Sequence, residues 1–375
     1  MTHRNFWSLS RKSDNKRKLK SLRLQLSHMV QISKLLKGIT RLQSKFVFII
    51  LSLLYCYINC YKILSYSKLL SKHSSRSAEG IIKNIDDHDR ETVIILHGLL
   101  GSSRNLKSWA NLLHEKLNYN FDIICCDLRN HGKSSSSLGS LDMNYNLMAS
   151  DVLGTMNSLG IKKAHIIGHS MGGKVAAAAA LQYTRLKCFS SVTMMDISPI
   201  HYSNDDFHSV LQTVITLKDI NDNYQYTKCK ETLHQQINLQ FPDQSLRKFI
   251  MSNLQIKGDT LYWGFNLDDI YRGLGTIAEF PYHSDKLIDD DKYYHPYKNP
   301  TLILKGSKSS FVRSSHMSKL SSLFPLYNIA SVKDAGHWLH HDQPEDTTSI
   351  VSNFIRSAIS YNSIHSKESS LSNAA

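Results

Sequence analysis

A serine flanked by glycines is the first feature of this sequence that could do chemistry. Gly168-His169-Ser170-Met171-Gly172 fits the pattern G-x-S-x-G. An apolar run, His-Ile-Ile, comes directly before it, and an alanine-rich, helix-forming stretch comes directly after it. A strand, a tight turn and a helix in that order form a nucleophile elbow, which exposes the serine oxygen at a helix N-terminus. The pattern therefore predicts that Ser170 is a nucleophile.

A nucleophilic serine that attacks a carbonyl needs two N–H donors for the oxyanion that forms. One donor in such sites is the amide of the residue after the nucleophile, here Met171. The other comes from a loop after an early strand, and His97-Gly98-Leu99-Leu100-Gly101 ends the first apolar run of this region. We therefore predict that the Leu99 and Met171 amides form the oxyanion hole.

A general base is expected near the serine, and nineteen histidines compete for that role. His337 lies in Asp-Ala-Gly-His-Trp, just after the last strand-like run, so it would reach the loop end of the sheet. His340 and His341 lie further along, within the following helix. The sequence therefore predicts His337 as the base.

The acid that would orient this histidine has two candidates. Its usual place is the loop after a later strand, but the loop at 306–312 contains no carboxylate. Asp196 ends the strand that we expect beside the elbow, so it can reach a histidine near Ser170. Asp268, in Trp-Gly-Phe-Asn-Leu-Asp, would have to reach the histidine from a cap above the sheet. We favour Asp196, keep Asp268 as the alternative, and expect Asp127 to hold its own loop.

Short apolar runs are the elements that must position these residues. They contain β-branched residues and do not alternate with polar ones, which is typical of strands buried on both faces. Helix-length segments lie between them, such as 107–117 and 171–182. We therefore predict a mostly parallel sheet covered by helices on both faces. The predicted strands are Thr92–Leu96, Phe121–Asp127, His165–Gly168, Ser190–Asp196, Thr301–Lys305 and Tyr327–Val332.

The domain organisation follows from where this alternation holds. We assign the catalytic domain to residues 91–357. Within it, 201–298 lacks a clear buried strand and is predicted to be an inserted helical cap. Residues 358–375 are small and polar, and are predicted to be disordered.

The N-terminal region differs in composition from the rest of the chain. The net charge is +14, but residues 1–45 carry twelve Lys and Arg and one Asp, so they contribute +11 of it. This argues against a nucleic-acid-binding body and for a basic arm. Residues 46–66 contain an uncharged apolar run, Phe46–Tyr61, which Ile63 and Leu64 could extend. We expect either a single membrane anchor or the end of an organellar presequence, followed by a polar linker at 67–90.

Six cysteines complete the inventory of reactive groups. Their spacing matches neither a zinc site nor a disulfide framework. They are expected to be buried thiols in a reducing compartment.

Several segments together resemble the abhydrolase-domain-11-like esterases of the α/β-hydrolase fold, and the bacterial YbfF-type esterases. The matching segments are HGLLGSS at 97–103, DLRNHGKS at 127–134, GHSMGGK at 168–174, DISP at 196–199, WGFNLD at 263–268, FP at 324–325 and DAGHWLHHDQP at 334–344. The resemblance implies a carboxylesterase or lipase-like activity on acyl esters or thioesters, and it supports Asp196 as the acid. It also implies a mitochondrial location. A single-pass anchor in an endomembrane is the alternative for the apolar run. The loop at 306–312 departs from the family because Ser307 stands where a second glycine is usual.

The predicted activity is hydrolysis of a small-molecule acyl ester through an acyl-enzyme, with no metal or organic cofactor. An acyltransferase or a thioesterase would use the same residues and differ in what the cap admits. A catalytically silent, membrane-tethered binding protein is the alternative outside enzymology, and the complete set of catalytic residue types argues against it.

Overall fold

The computed structural model describes residues 63–70, 91–135, 142–224, 230–257, 260–282 and 295–372. The basic arm and the apolar run up to Tyr61 lie outside these ranges, so the predictions made for them are not addressed by the fold. Across the described ranges, no helix combines the length and the apolar character needed to cross a membrane.

A seven-stranded sheet forms the centre of the described structure, in the order β1-β3-β2-β4-β5-β8-β9. All of its strand pairs are parallel except β1 with β3, which is antiparallel. The predicted strands are all present, within one residue at most ends. The strands are β1 (Ser65–Leu69), β2 (Thr92–Leu96), β3 (Asp122–Asp127), β4 (Ala164–His169), β5 (Phe189–Met195), β6 (Leu254–Lys257), β7 (Thr260–Trp263), β8 (Thr301–Gly306) and β9 (Tyr327–Val332).

Helices cover both faces of this sheet, as predicted. They are α1 (Ser103–Lys116), α2 (Tyr145–Ser158), α3 (Met171–Gln182), α4 (Asn204–Tyr224), α5 (Lys230–Gln240), α6 (Gln244–Ser252), α7 (Leu267–Arg272), α8 (Leu274–Ala278), α9 (Met317–Leu323), α10 (Leu339–Asp342) and α11 (Pro344–Ser372). Ile94 of β2 packs in one apolar cluster with residues of α2 and α3. Its neighbour Ile95 packs in another with residues of α1 and α11. Because neighbouring strand residues point to opposite faces, uninterrupted apolar runs are what such a sheet requires.

The segment predicted as a cap contains α4 to α8 and the antiparallel hairpin β6–β7. Its helices have an apolar core of their own, which includes Leu217, Ile237, Ile250 and Phe265. Leu100, from the loop after β2, is buried in this core too. The cap therefore packs directly on the loop that was predicted to carry an oxyanion donor.

The N-terminal boundary of the domain was predicted wrongly. Ser65–Leu69 had been divided between an apolar segment ending at residue 66 and a linker beginning at 67, but it is the antiparallel edge strand β1. Leu64 is buried in the main core, and its amide donates to Thr155 Oγ1 at 2.9 Å. The sequence SYSKL does not indicate a strand, because an edge strand whose residues are largely exposed needs few apolar side chains.

The C-terminal boundary also needs correction. Residues 358–375 were predicted to be disordered, but helix α11 continues to Ser372. Ala358 is buried, and Asn362 Nδ2 donates to the Ser190 carbonyl at 3.0 Å. One face of this polar helix therefore completes the cover of the sheet, which composition alone does not reveal.

Candidate active site

Ser170 lies in the turn between β4 and α3, in a conformation that most residues avoid. Its φ is 52° and its ψ is −122°, and α3 begins at the next residue. A Cβ at Gly168 would lie 2.0 Å from the Gly172 carbonyl oxygen, and one at Gly172 would lie 2.5 Å from the His97 carbonyl oxygen. Glycine is therefore required at both positions, and the strained turn holds the serine at the end of the sheet.

Asp196 follows β5 directly and is completely buried. Its amide donates to the Leu304 carbonyl at 2.7 Å, and the Ser170 amide donates to the carbonyl of the preceding residue, Met195, at 2.9 Å. These bonds fix the carboxylate next to the elbow. Its Oδ1 accepts from the Gly306 amide at 3.0 Å, and its Oδ2 accepts from the Ser309 hydroxyl.

His337 lies in the loop after β9 and meets this carboxylate. Its Nδ1 is 2.7 Å from Asp196 Oδ2, and its side chain is 20% exposed. Because a carboxylate accepts, Nδ1 carries the proton and Nε2 keeps a free lone pair. The ring packs on Phe311 and His169, with centroids 4.4 and 4.7 Å apart. His169 Nε2 also donates to the His337 carbonyl at 2.8 Å, which fixes the backbone of the loop.

The structure brings together most of the residues predicted for the site. Ser170, Leu99 and Met171 line one cavity of about 20 Å³, and Phe311, which packs on His337, lines it too. Within the described ranges, Ser170 Oγ makes no hydrogen bond to His337, and the amides of Leu99 and Met171 donate to no protein acceptor. The two amides are therefore free for a ligand oxygen.

The alternative acid lies elsewhere. Asp268 is in the first turn of α7, its side chain is 66% exposed, and its partner is Lys218 Nζ at 3.1 Å. Asp127 has the local role expected of it, because its two oxygens accept from the amides of Ser103 and Lys133 at 2.7 and 3.0 Å.

The two competing histidines are also outside the contact with Asp196. His340 is buried, and its ring packs on Trp109 and His169 with centroids 6.3 and 4.7 Å apart. Burial lowers its pKa to about 3, so it is neutral at physiological pH. Burial also lowers the pKa of His169 well below the ordinary value. His341 is 75% exposed.

A buried lysine near the nucleophile was missed from the sequence. Lys174, one turn after Ser170, lines the same cavity, and its Nζ donates to the carbonyls of Ala278 and Glu279 at 2.9 and 3.0 Å. It also lies 4.7 Å from the centre of the Tyr202 ring. Burial lowers its pKa to about 7. It ties the elbow helix to the end of cap helix α8, and a lone lysine in an otherwise apolar helix was the available signal.

Ser309 was missed for a different reason. The loop at 306–312 contains no carboxylate, the group expected there. The loop instead supplies donors, the Gly306 amide and the Ser309 hydroxyl, to a carboxylate on the neighbouring strand.

Among the described residues, no group of three or more His, Cys, Asp or Glu side chains could hold a metal ion. Cys125, Cys126 and Cys188 are free and buried. Burial raises the pKa of Cys125 to about 12 and that of Cys188 to about 11, which makes these thiols poor nucleophiles.

Comparison with known proteins shows that the chain is similar to ester hydrolases. The family model of the alpha/beta hydrolase fold matches residues 91–344. The sn-1-specific diacylglycerol lipase ABHD11 of Mus musculus is 31% identical over 263 residues, covering 70% of this chain and 80% of the relative. Esterase YbfF of Escherichia coli is 27% identical over 261 residues, covering 69% and 91%. A solved marine microorganism esterase is 27% identical, with a TM-score of 0.64 over 78% of this chain and 98% of that one.

Proposed function

This chain belongs to the α/β-hydrolase family, and from that premise we propose that it hydrolyses carboxylic esters with Ser170, His337 and Asp196 as its catalytic triad. The observation that carries the proposal is the contact at 2.7 Å between His337 and the buried Asp196, beside a strained serine and two free amides. In this arrangement a neutral imidazole can accept the serine proton, and the two amides can donate hydrogen bonds to an oxyanion.

The proposed reaction begins when Ser170 Oγ attacks the acyl carbonyl and His337 Nε2 takes the hydroxyl proton. The carbonyl oxygen becomes an oxyanion, and the amides of Leu99 and Met171 donate to it. The bond to the leaving alcohol then breaks, and His337 returns the proton to that alcohol. Water, activated by the same imidazole, attacks the acyl-enzyme and releases the acid and free Ser170.

Asp196 has two tasks in this scheme. It holds the imidazole in the tautomer that leaves Nε2 free, and it stabilises the imidazolium that forms in each step. Its complete burial and its bonds from Gly306 and Ser309 keep the carboxylate in one orientation.

The substrate class follows from the relatives and from the cavity. The mouse relative is named for diacylglycerol, so we propose a lipophilic acyl ester for this chain. The walls around Ser170 are mostly apolar, but the cavity has room for little more than one water-sized group. A longer acyl chain must displace cap side chains such as Phe207 or Val210 of α4, which line it.

Replacement of the nucleophile tests the proposed function. We expect Ser170→Ala to lower the turnover of a short-chain 4-nitrophenyl ester by a factor on the order of 10⁶ while the fold is kept. Ser360→Ala, on the exposed part of α11, is the matched control and should act like the parent enzyme. A Ser170→Ala variant within tenfold of the parent would exclude the serine mechanism.

We also propose that the protein is mitochondrial and associates with a membrane through residues 46–62. The support is the basic, acid-poor arm before this apolar run and the family resemblance. Leu64 cannot belong to a membrane segment because it is buried in the domain core. Alkaline carbonate extraction of isolated organelles tests the proposal. Retention in the membrane pellet of mitochondria is expected, and release of a form that begins beyond residue 62 would mean that the run is a removed presequence.

A further inference from the structure

The loop that carries the Leu99 amide needs outside support. Its next residue, Leu100, has a φ of 61°, in the left-handed region that an L-residue with a bulky side chain rarely adopts. The loop's own turn contributes one bond, from the Gly101 amide to the Gly98 carbonyl at 3.1 Å. Other contacts must therefore keep Leu100, and with it the neighbouring Leu99 amide, in place.

A buried histidine supplies one of these contacts. The Leu100 amide donates to His131 Nε2 at 3.1 Å, and His131 Nδ1 lies 2.8 Å from the Arg129 carbonyl. A carbonyl only accepts, so Nδ1 carries the proton and Nε2 offers its lone pair to Leu100. His131 is completely buried, and that burial, reinforced by His97, lowers its pKa to about 3. It is therefore neutral, and only the neutral ring can accept this bond.

A second histidine supports the same loop from its first residue. His97 Nδ1 lies 2.8 Å from the Gly98 carbonyl, and the Leu128 amide donates to His97 Nε2 at 2.9 Å. The two rings are 5.1 Å apart. The loops after β2 and β3 are thus joined by two buried imidazoles, each bonded through both of its nitrogens.

The cap is attached to the same assembly. The Gly132 amide donates to the Gly264 carbonyl at 2.6 Å, and the Asn266 amide donates to the Asn130 carbonyl at 2.7 Å. The His131 and Phe265 rings are 6.4 Å apart. The side chain of Leu100 is itself buried in the cap core. A displacement of the cap segment at 264–266 would therefore disturb both His131 and the apolar contacts that hold Leu100.

From these contacts we propose that His131 is a positioning residue that couples the cap to the oxyanion hole by fixing the Leu99–Leu100 backbone. The inference rests on the proposed function, because it assigns the Leu99 amide to the oxyanion. His131 is completely buried and is not among the residues that line the cavity at Ser170. The transition state is therefore fully stabilised only while the cap is packed on the domain.

The test compares two substrates that differ in the one atom that enters the oxyanion hole, and each variant is compared with the parent on both. They are 4-nitrophenyl acetate and O-4-nitrophenyl thionoacetate, whose sulfur is a weak hydrogen-bond acceptor. Loss of a whole oxyanion donor costs about 10² to 10³ in turnover, so loosening one should cost about tenfold. We expect His131→Leu to lower kcat for the oxygen ester about tenfold and for the thionoester less than about threefold.

Three further variants make the result specific. His131→Gln keeps an acceptor for the Leu100 amide and should recover most of the oxygen-ester rate. Leu100→Ala removes the side chain that packs in the cap core. It should lower the ratio of the oxygen-ester rate to the thionoester rate while His131 is unchanged, so the proposal stays testable if His131→Leu does not fold. His114→Leu changes a buried histidine on α1, away from this loop, and should leave the ratio at the parent value.

The outcomes distinguish the positioning role of His131 from the proposed esterase function. An unchanged ratio in folded His131→Leu and Leu100→Ala, or equal losses with both substrates, would overturn the positioning role while leaving the esterase intact. A parent enzyme that hydrolyses neither ester would overturn the proposed function, and this inference with it.

Discussion

Acidification should destabilise this protein through its buried histidines, before most carboxylates titrate. Burial lowers the pKa of His131 and His340 to about 3, and it lowers the pKa of His97 and His169 as well. In the unfolded chain each of these groups has a pKa of about 6.5. Between about pH 6.5 and 3 the unfolded state therefore binds more protons than the folded state, and stability is lost as the pH falls.

The size of the effect follows from the number of these groups. Each histidine with so low a folded pKa should remove about 1.4 kcal/mol from the free energy of unfolding between pH 7.5 and 5.5. His131 and His340 together give about 3 kcal/mol, and the lowered pKa values of His97 and His169 add to the loss in the same direction. That is a large part of the roughly 5–15 kcal/mol of a typical domain.

Urea unfolding at pH 7.5, 6.5 and 5.5, followed by tryptophan fluorescence, measures this loss. His340→Phe removes one of the four groups at similar volume, so its loss over the same interval should be smaller than the parent's by about 1.4 kcal/mol. His341→Gln, at an exposed neighbouring position, is the control and should match the parent. A free energy of unfolding that stays constant from pH 7.5 to 5.5 would show that these histidines do not set the pH dependence, and so would an unchanged loss in His340→Phe.

Three other changes have defined outcomes in assays of turnover or stability. Asp196→Asn should lower kcat by about 10⁴, because an amide cannot stabilise the imidazolium, whereas Asp268→Asn should stay within a few-fold of the parent; the reverse order would make Asp268 the acid. Ser309→Ala removes one donor to Asp196 and should lower kcat by roughly fivefold with little change in KM, as a bond worth about 1 kcal/mol would; an unaltered kcat would exclude a role for Ser309. Leu64→Ala should lower the free energy of unfolding by about 2–5 kcal/mol in urea titrations, and a loss below about 0.5 kcal/mol would mean that the domain does not depend on β1.

The sequence was most informative where local pattern and global structure coincide. The apolar runs at 92–96 and 327–332 are strands with the predicted bounds, and α3 spans Met171–Gln182 as expected. A strand buried on both faces, as β2 is, must be apolar throughout, so its composition identifies it; β9 has the predicted bounds but is an edge strand and is mostly not buried. The elbow could be predicted because G-x-S-x-G between a strand and a helix is a steric requirement: a side chain at Gly168 or Gly172 would collide with neighbouring backbone atoms.

Features that depend on distant partners could not be predicted. Strand β1 and the end of α11 are polar, and they form because Leu64 and Ala358 reach a core built by other segments. The donors to Asp196 from the 306–312 loop and the role of His131 depend on which loops meet across the sheet. Lys174 could have been noticed as a charge in an apolar helix, but its carbonyl partners lie about a hundred residues away in the chain.

The central claim, that Ser170 is the nucleophile activated by His337 and Asp196, is tested most directly by a covalent probe. A fluorophosphonate should modify the folded full-length chain at one site, and peptide mass spectrometry should locate the adduct on Ser170. In His337→Ala the rate of labelling should fall by at least about 10³, because the serine then has no base. An adduct on another residue would contradict the account. So would an enzyme that hydrolyses esters while Ser170 stays unmodified, or one whose labelling does not depend on His337.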